Sequence, residues 1–216
     1  MEQTSTAKKK YGFTDFLKEW TIPVLIIVLF ILSRIFVWTL VLVDGHSMDP
    51  TLADRERMVL IKTATPQRFD IVVAKESDKD IVKRVIGMPG DTVNFNHDKL
   101  TINGKEYKEP YLDDFKKQLA SGELEKTYAS YPITNALPES QRSFFVGLAQ
   151  QARAFTVDST GNPVFSVKVP EGQYFLMGDN RIVSSDSRAV GSFERSNILG
   201  VVKARIWPLN KISLIN

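Results

Sequence analysis

The run from Ile22 to Val43 constrains this chain more than any other feature: seventeen of its 22 residues are Leu, Ile, Val or Phe, and Arg34 is its single charge. At about 1.5 Å of rise per residue, a helix of this length crosses a hydrocarbon layer of about 30 Å. Arg34 opposes insertion by roughly 2.5–3.5 kcal/mol, whereas the apolar residues favour it by roughly 5–10 kcal/mol, so insertion prevails. A cleavable leader has a shorter apolar core, about 7–15 residues, followed by a small-x-small cleavage site. The expectation is therefore an uncleaved transmembrane helix over 22–43, preceded by a tail over 1–21. Lys8, Lys9, Lys10 and Lys18 lie before the span and Arg55, Arg57 and Lys62 after it. This small bias leans toward a cytoplasmic N-terminus.

The remainder, 44–216, is long enough to bury one core. Its charge gives little away: 28 Lys and Arg against 25 Asp and Glu leave a formal +3, without the concentrated basic footprint that nucleic-acid binding needs. The absence of cysteine excludes disulfide scaffolds, thiolate zinc sites and cysteine nucleophiles. With His46 and His97 the only histidines, a His-rich metal site is excluded too.

Beyond Asp44, short Val- and Ile-rich runs bounded by Gly, Pro, Asn or Asp predict strands at Arg57–Thr63, Phe69–Ala74, Asp80–Ile86, Thr92–Asn96, Leu100–Ile102, Val164–Val169, Tyr174–Met177 and Ile198–Ile206. They imply a mainly β, antiparallel domain. Between about 108 and 160 the pattern lapses into polar sequence, with helical stretches near Asp113–Gly122 and Gln141–Ala154, which reads as a partly helical insert.

Three segments carry groups capable of chemistry. In Gly45-His46-Ser47-Met48-Asp49-Pro50 a serine stands between a glycine and a proline just past the apolar run. Taken alone, this reads more simply as a connecting turn. A triad of Asp44, His46 and Ser47 is disfavoured, because neighbours on an extended chain point to opposite faces. The pattern Ser5-Thr6-Ala7-Lys8 resembles an S-x-x-K nucleophile motif but lies in a polar tail. In Asp80-Ile81-Val82-Lys83-Arg84-Val85-Ile86 a lysine interrupts an apolar strand. Burial would lower its pKa and make it a competent base for a serine hydroxyl; the alternative is a side chain that reaches solvent or pairs with a carboxylate. The third segment, Gly178 to Gly191, is dense in polar groups and reads as a hydrogen-bonded loop buttressing something.

Taken together, G-x-S-M-x-P-T-L at Gly45–Leu52, R-F-D-I-V-V at Arg68–Val73, K-R-V-I-G-M-P-G-D at Lys83–Asp91 and G-D-N-R-x-x-S-x-D-S-R at Gly178–Arg188 resemble the motifs of type I signal peptidases, in the same order. These are membrane-anchored Ser/Lys proteases that remove signal peptides from exported preproteins. Gly45 and the single span resemble the Gram-positive enzymes in particular. The insert carries no motif of the family.

The resemblance implies Ser47 as nucleophile, Lys83 as general base, and Ser184 as a hydrogen-bonding partner that orients the lysine. It makes Asp186 and Arg188 a structural ion pair and packs Gly178 close to the site. Ser47 N–H becomes an oxyanion donor. Some members add a hydroxyl two residues before the nucleophile, where this chain has Gly45, leaving a backbone N–H or a water as the second donor. Neither metal nor organic cofactor is implied. The implied substrates carry small side chains at the first and third positions before the cut, with Asp80, Ile81 and Val82 pairing with them in extended form and Met48, Ile81 and Val82 walling the pockets. The other implied partner is membrane lipid, in a cell membrane, with the catalytic domain on the extracytoplasmic side.

Overall fold

The computed structural model describes residues 12–131 and 138–215. The tail lysines at 8–10 and the Ser5-to-Lys8 pattern lie outside the described residues. Helix α1 spans Phe13–Phe36, and its Phe16–Phe36 portion, 21 residues, is long and apolar enough to cross a membrane, with its most apolar stretch left unburied by the rest of the protein. In a water-soluble domain such a face would be a liability; against lipid it needs no cover, because the helix satisfies its own backbone.

The expectation of one helix over 22–43 is corrected at its C-terminal end. The helix stops at Phe36, and Trp38–Leu42 forms strand β1, antiparallel to β2 (Arg57–Ile61), with Trp38 opposite Ile61 and Leu42 opposite Arg57. An unbroken apolar run does not distinguish lipid-facing helix from strand. The β-branched and aromatic residues from Val37 to Val43 go to the sheet because β2 offers them an edge. The same boundary relocates Arg34 to the last turn of the helix, where its guanidinium lies 5.6 Å from the Trp38 ring centre. A cation there complements the helix dipole and stands at the end of the apolar helix rather than at its middle.

The remaining strands are β3 (Ile71–Glu76), β4 (Lys79–Gly87), β5 (Thr92–Asn96), β6 (Lys99–Ile102), β7 (Lys105–Tyr107), β8 (Val164–Lys168), β9 (Gln173–Met177), β10 (Phe193–Glu194), β11 (Ile198–Trp207) and β12 (Ser213–Leu214). They form two antiparallel sheets, one ordered β1-β2-β11-β3-β4-β9-β10 with β12 beside β11, the other β7-β6-β5-β8. Strands β2, β5 and β6 alternate buried and less buried residues, the mark of a sheet with one covered face, whereas Ile71–Ala74 of β3 and Lys83–Gly87 of β4 are buried without alternation because they run through the centre. Each expected strand is present within a few residues. The additions, β1, β7, β10 and β12, are short or drawn from sequence with another reading.

The insert leaves β7 and folds into α2 (Asp113–Ser121), α3 (Leu124–Ala129) and α4 (Glu139–Gln151). Two of these were expected; α3, at six residues, is too short for a periodic signal. Leu112, Phe115, Leu124, Tyr128 and Phe155 make its own small core, against which Ile182 and Val183 of the 178–188 loop also pack. The insert is therefore built onto that loop.

Candidate active site

Ser47 lies in the turn between β1 and β2, and Lys83 lies midway along β4. The fold brings them together: Lys83 Nζ is 2.8 Å from Ser47 Oγ. Lys83 is only 4 % exposed, so it does not reach solvent, and among the described residues no carboxylate forms an ion pair with it. Burial pushes its pKa down; the charges of Asp186 and Glu76 pull it back without reversing the shift.

Gly178 is the residue on which the two motif loops meet. A Cβ there would lie 2.4 Å from Ser47 O and 2.2 Å from Ser184 Oγ, so only glycine allows the approach. Asp186, fully buried, accepts from Gly178 N (2.9 Å) and pairs with Arg188 through Nε–Oδ1 and Nη2–Oδ2, both 2.8 Å. Burial raises the Asp186 pKa, but the hydrogen bonds and charge of Arg188 outweigh it and hold the carboxyl below its usual range. Ser184 stands beside Gly178, yet its hydroxyl donates to Ser185 O at 3.5 Å, and no hydrogen bond joins it to Lys83 among the described residues. The expected Ser184-to-Lys83 contact is thus not made here; Ser184 Oγ is packed over the Gly178 Cα instead.

Gly45 adopts φ +88°, its N–H donating to Asp54 Oδ1 at 2.8 Å. That left-handed conformation favours glycine and explains why no hydroxyl-bearing residue stands there. His46 is buried and turned away from Ser47, its Nδ1 2.8 Å from Asp49 Oδ2 and its ring stacked on Tyr131 at 4.3 Å. The Asp44-His46-Ser47 triad is geometrically excluded.

A groove of about 870 Å³ runs over Ser47 and Lys83, walled by Leu40, Leu42, Met48, Ile81 and Val82. Met48 is fully buried beneath it, while Ile81 and Val82 are half-buried and Asp80 is exposed. Strand β4 pairs with β3 over Lys79–Arg84 but with β9 only over Arg84–Gly87, so the outer backbone edge of Asp80–Val82 is unpaired within the described residues. The contribution of β1 to the groove was hidden in the sequence by the apolar run. Asn180 was also missed: it sits inside the G-D-N-R motif, but nothing in its neighbours' identities showed what it holds.

The model of the family described as "Signal peptidase, peptidase S26" matches residues 17–207. Signal peptidase I of Streptococcus pneumoniae serotype 4 is 52 % identical over 203 residues, covering 93 % of this chain and 98 % of that protein. Signal peptidase I of Bacillus licheniformis is 37 % identical over 219 residues, 98 % of this chain and 97 % of that one. A crystal structure of a signal peptidase I from Enterococcus faecalis is 28 % identical with a TM-score of 0.44, covering 64 % of this chain and 97 % of its own. With a family model spanning most of its length and relatives matched nearly end to end, this chain belongs to the type I signal peptidases of the peptidase S26 family.

Proposed function

We propose that the protein cleaves signal peptides as a serine endopeptidase, with Ser47 as nucleophile and Lys83 as its general base, through an acyl-enzyme. One observation carries this reading: a buried lysine with a lowered pKa, unpaired with any described carboxylate, lies 2.8 Å from the hydroxyl it would activate. The neutral amine accepts the Ser47 Oγ proton as Oγ attacks the scissile carbonyl. The ammonium so formed returns that proton to the leaving amine as the C–N bond breaks. Water then attacks the ester, giving its proton to Lys83, and Ser47 is regenerated. Ser47 N–H stabilises the developing oxyanion. Asp186 and Arg188 hold the loop that carries Gly178 against Ser47.

The unpaired edge at Asp80–Val82 suits an extended peptide adding as a strand, with small side chains directed between Met48, Ile81 and Val82. Helix α1 anchors the chain, with the N-terminus cytoplasmic and the sheets extracytoplasmic; Leu40 and Leu42, 40 % and 49 % exposed, continue its apolar surface toward the groove, where lipid is the natural neighbour. Cleavage of a precursor in detergent micelles tests the dyad. The parent is expected to cut after small-x-small, and Ser47→Ala, Lys83→Ala and Lys83→Arg to lose cleavage. Normal cutting by Lys83→Ala would remove Lys83 as the base.

A further inference from the structure

The insert makes hydrogen bonds to the loops of the site at four places. Glu109 pairs with the fully buried Arg181, whose Nη1 donates to Thr156 Oγ1 at 3.3 Å; Val157 O accepts from Arg188 Nη1 at 2.9 Å; and Tyr128 OH donates to Asn180 Oδ1 at 2.5 Å. The last of these leads directly to the nucleophile. Asn180, itself fully buried, donates from Nδ2 to His46 O (3.1 Å) and from its backbone N–H to Ser47 O (3.0 Å).

His46 C=O and Ser47 N–H belong to one planar peptide group, and in a trans peptide they point in opposite directions. A donor that fixes His46 O therefore fixes the direction of Ser47 N–H. It also polarises that N–H, since hydrogen bonds to one end of an amide strengthen those at the other. The Asn180 amide can serve only with Nδ2 toward His46 O. The carbonyl His46 O can only accept, so it takes Nδ2 and leaves Oδ1 to receive the Tyr128 hydroxyl, which holds the amide in that orientation from its other end.

We infer that Tyr128 of the insert and Asn180 form a positioning relay that aims the Ser47 N–H as oxyanion donor, so that the insert tunes the transition state without touching substrate. The inference rests on the Ser47/Lys83 reading and deepens it. Ser47 N–H is then an aligned donor before substrate arrives, which is what electrostatic stabilisation of an oxyanion demands. The ring of Tyr131, stacked on His46, steadies the same residue from the other side.

The test compares the parent full-length protein in micelles with Tyr128→Phe, which keeps the ring packing against Phe115, Tyr131 and Phe145, and with Asn180→Ala. Tyr128→Phe is expected to lower kcat about 10-fold, the scale of one mis-set hydrogen bond. Asn180→Ala is expected to lower it about 100-fold, approaching loss of an oxyanion donor. In both, KM and the pH at which activity rises stay at the parent's values, since neither groove nor Lys83 changes. A peptide aldehyde ending in Ala, bound as the hemiacetal of Ser47, should lose affinity in step with kcat. Should Asn180→Ala fail to fold, Tyr128→Phe decides. Unchanged kcat in Tyr128→Phe, or a loss carried by KM or by aldehyde-independent melting, overturns the relay. Failure of the dyad itself would show differently, as retained cleavage by Lys83→Ala.

Discussion

Lys83 and Arg84 are neighbours on β4, both buried, and opposite in fate. As successive residues of a strand they leave opposite faces. On one face Arg84 meets a prepared counter-ion: Asp179 accepts from its Nε and Nη2 at 2.8 and 2.6 Å, Phe69 O takes Nη1, and the Tyr111 ring stacks at 3.9 Å. Its pKa is raised: burial works against the charge, and Asp179 more than compensates. On the other face Lys83 meets a hydroxyl and apolar walls, and its pKa is lowered. Burial beside a supplied carboxylate leaves the Arg84 pKa raised, and burial with no carboxylate in ion-pair contact leaves the Lys83 pKa lowered. One strand thus carries, at successive positions about 3.3 Å apart along its axis, a cation held by its counter-ion and the amine proposed as the base.

The sharpest way to break this contrast is to remove the proposed base, Lys83. Lys83→Ala should lower kcat/KM by about 10²–10⁴-fold, and Lys83→Arg should not rescue it, because a guanidinium stays protonated. Circular dichroism would confirm that the fold survives.

Arg84→Met should do the reverse, leaving Asp179 buried with the Thr51 hydroxyl but without its counter-ion and costing about 3–5 kcal/mol of stability, read in a denaturant titration. Removing both partners in Arg84→Met with Asp179→Leu should recover much of that loss. If the single change is as mild as the double, the pair is not holding the loop.

The comparison sharpens with pH. Because the Lys83 pKa is lowered, activity should rise as pH climbs through that depressed value, below the range in which an ordinary lysine titrates. For stability, the unfolded chain binds more protons than the folded one between the folded pKa and 10.5, so stability increases with pH across that window. Lys83→Met should therefore be more stable than the parent at low pH, by a margin that closes toward pH 10.5. Asp186 acts with the same sign in an acidic window: with a folded pKa below 3.8, its stabilisation is complete above 3.8 and is lost as pH falls through the folded value. A Lys83→Met margin that does not vary with pH would contradict the burial account.

The smallest effect concerns backbone. Gly45→Ala meets open space but a φ of +88°, so it should cost about 1 kcal/mol and shift the melting midpoint by a few degrees.

Much of this was legible in sequence. The strand runs from Arg57 to Ile206 announce themselves because each buries one face or both, and short-range alternation records that. Ser47, Lys83, Gly178, Asp186 and Arg188 stand in motifs whose order alone identifies the family. The break at Val37 was not legible, since hydrophobicity is the same for a residue facing lipid and one facing a groove; the edge of β2 decided it. Nor was the position of Ser184 legible, because a hydroxyl's partner depends on a rotamer and on the open Cα of Gly178. The relay from Tyr128 through Asn180 to His46 O joins residues far apart in the chain, and no local pattern encodes it.

By itself, then, the sequence determined an apolar anchor, a β-rich domain and the chemical groups of the site, since composition and short-range periodicity depend on what each residue buries. The tertiary structure alone decided which buried basic group has its pKa lowered and which raised, where the anchor becomes a strand, and how the insert reaches Ser47. Those properties arise from the few ångströms around each polar group, and only folding brings those neighbours together.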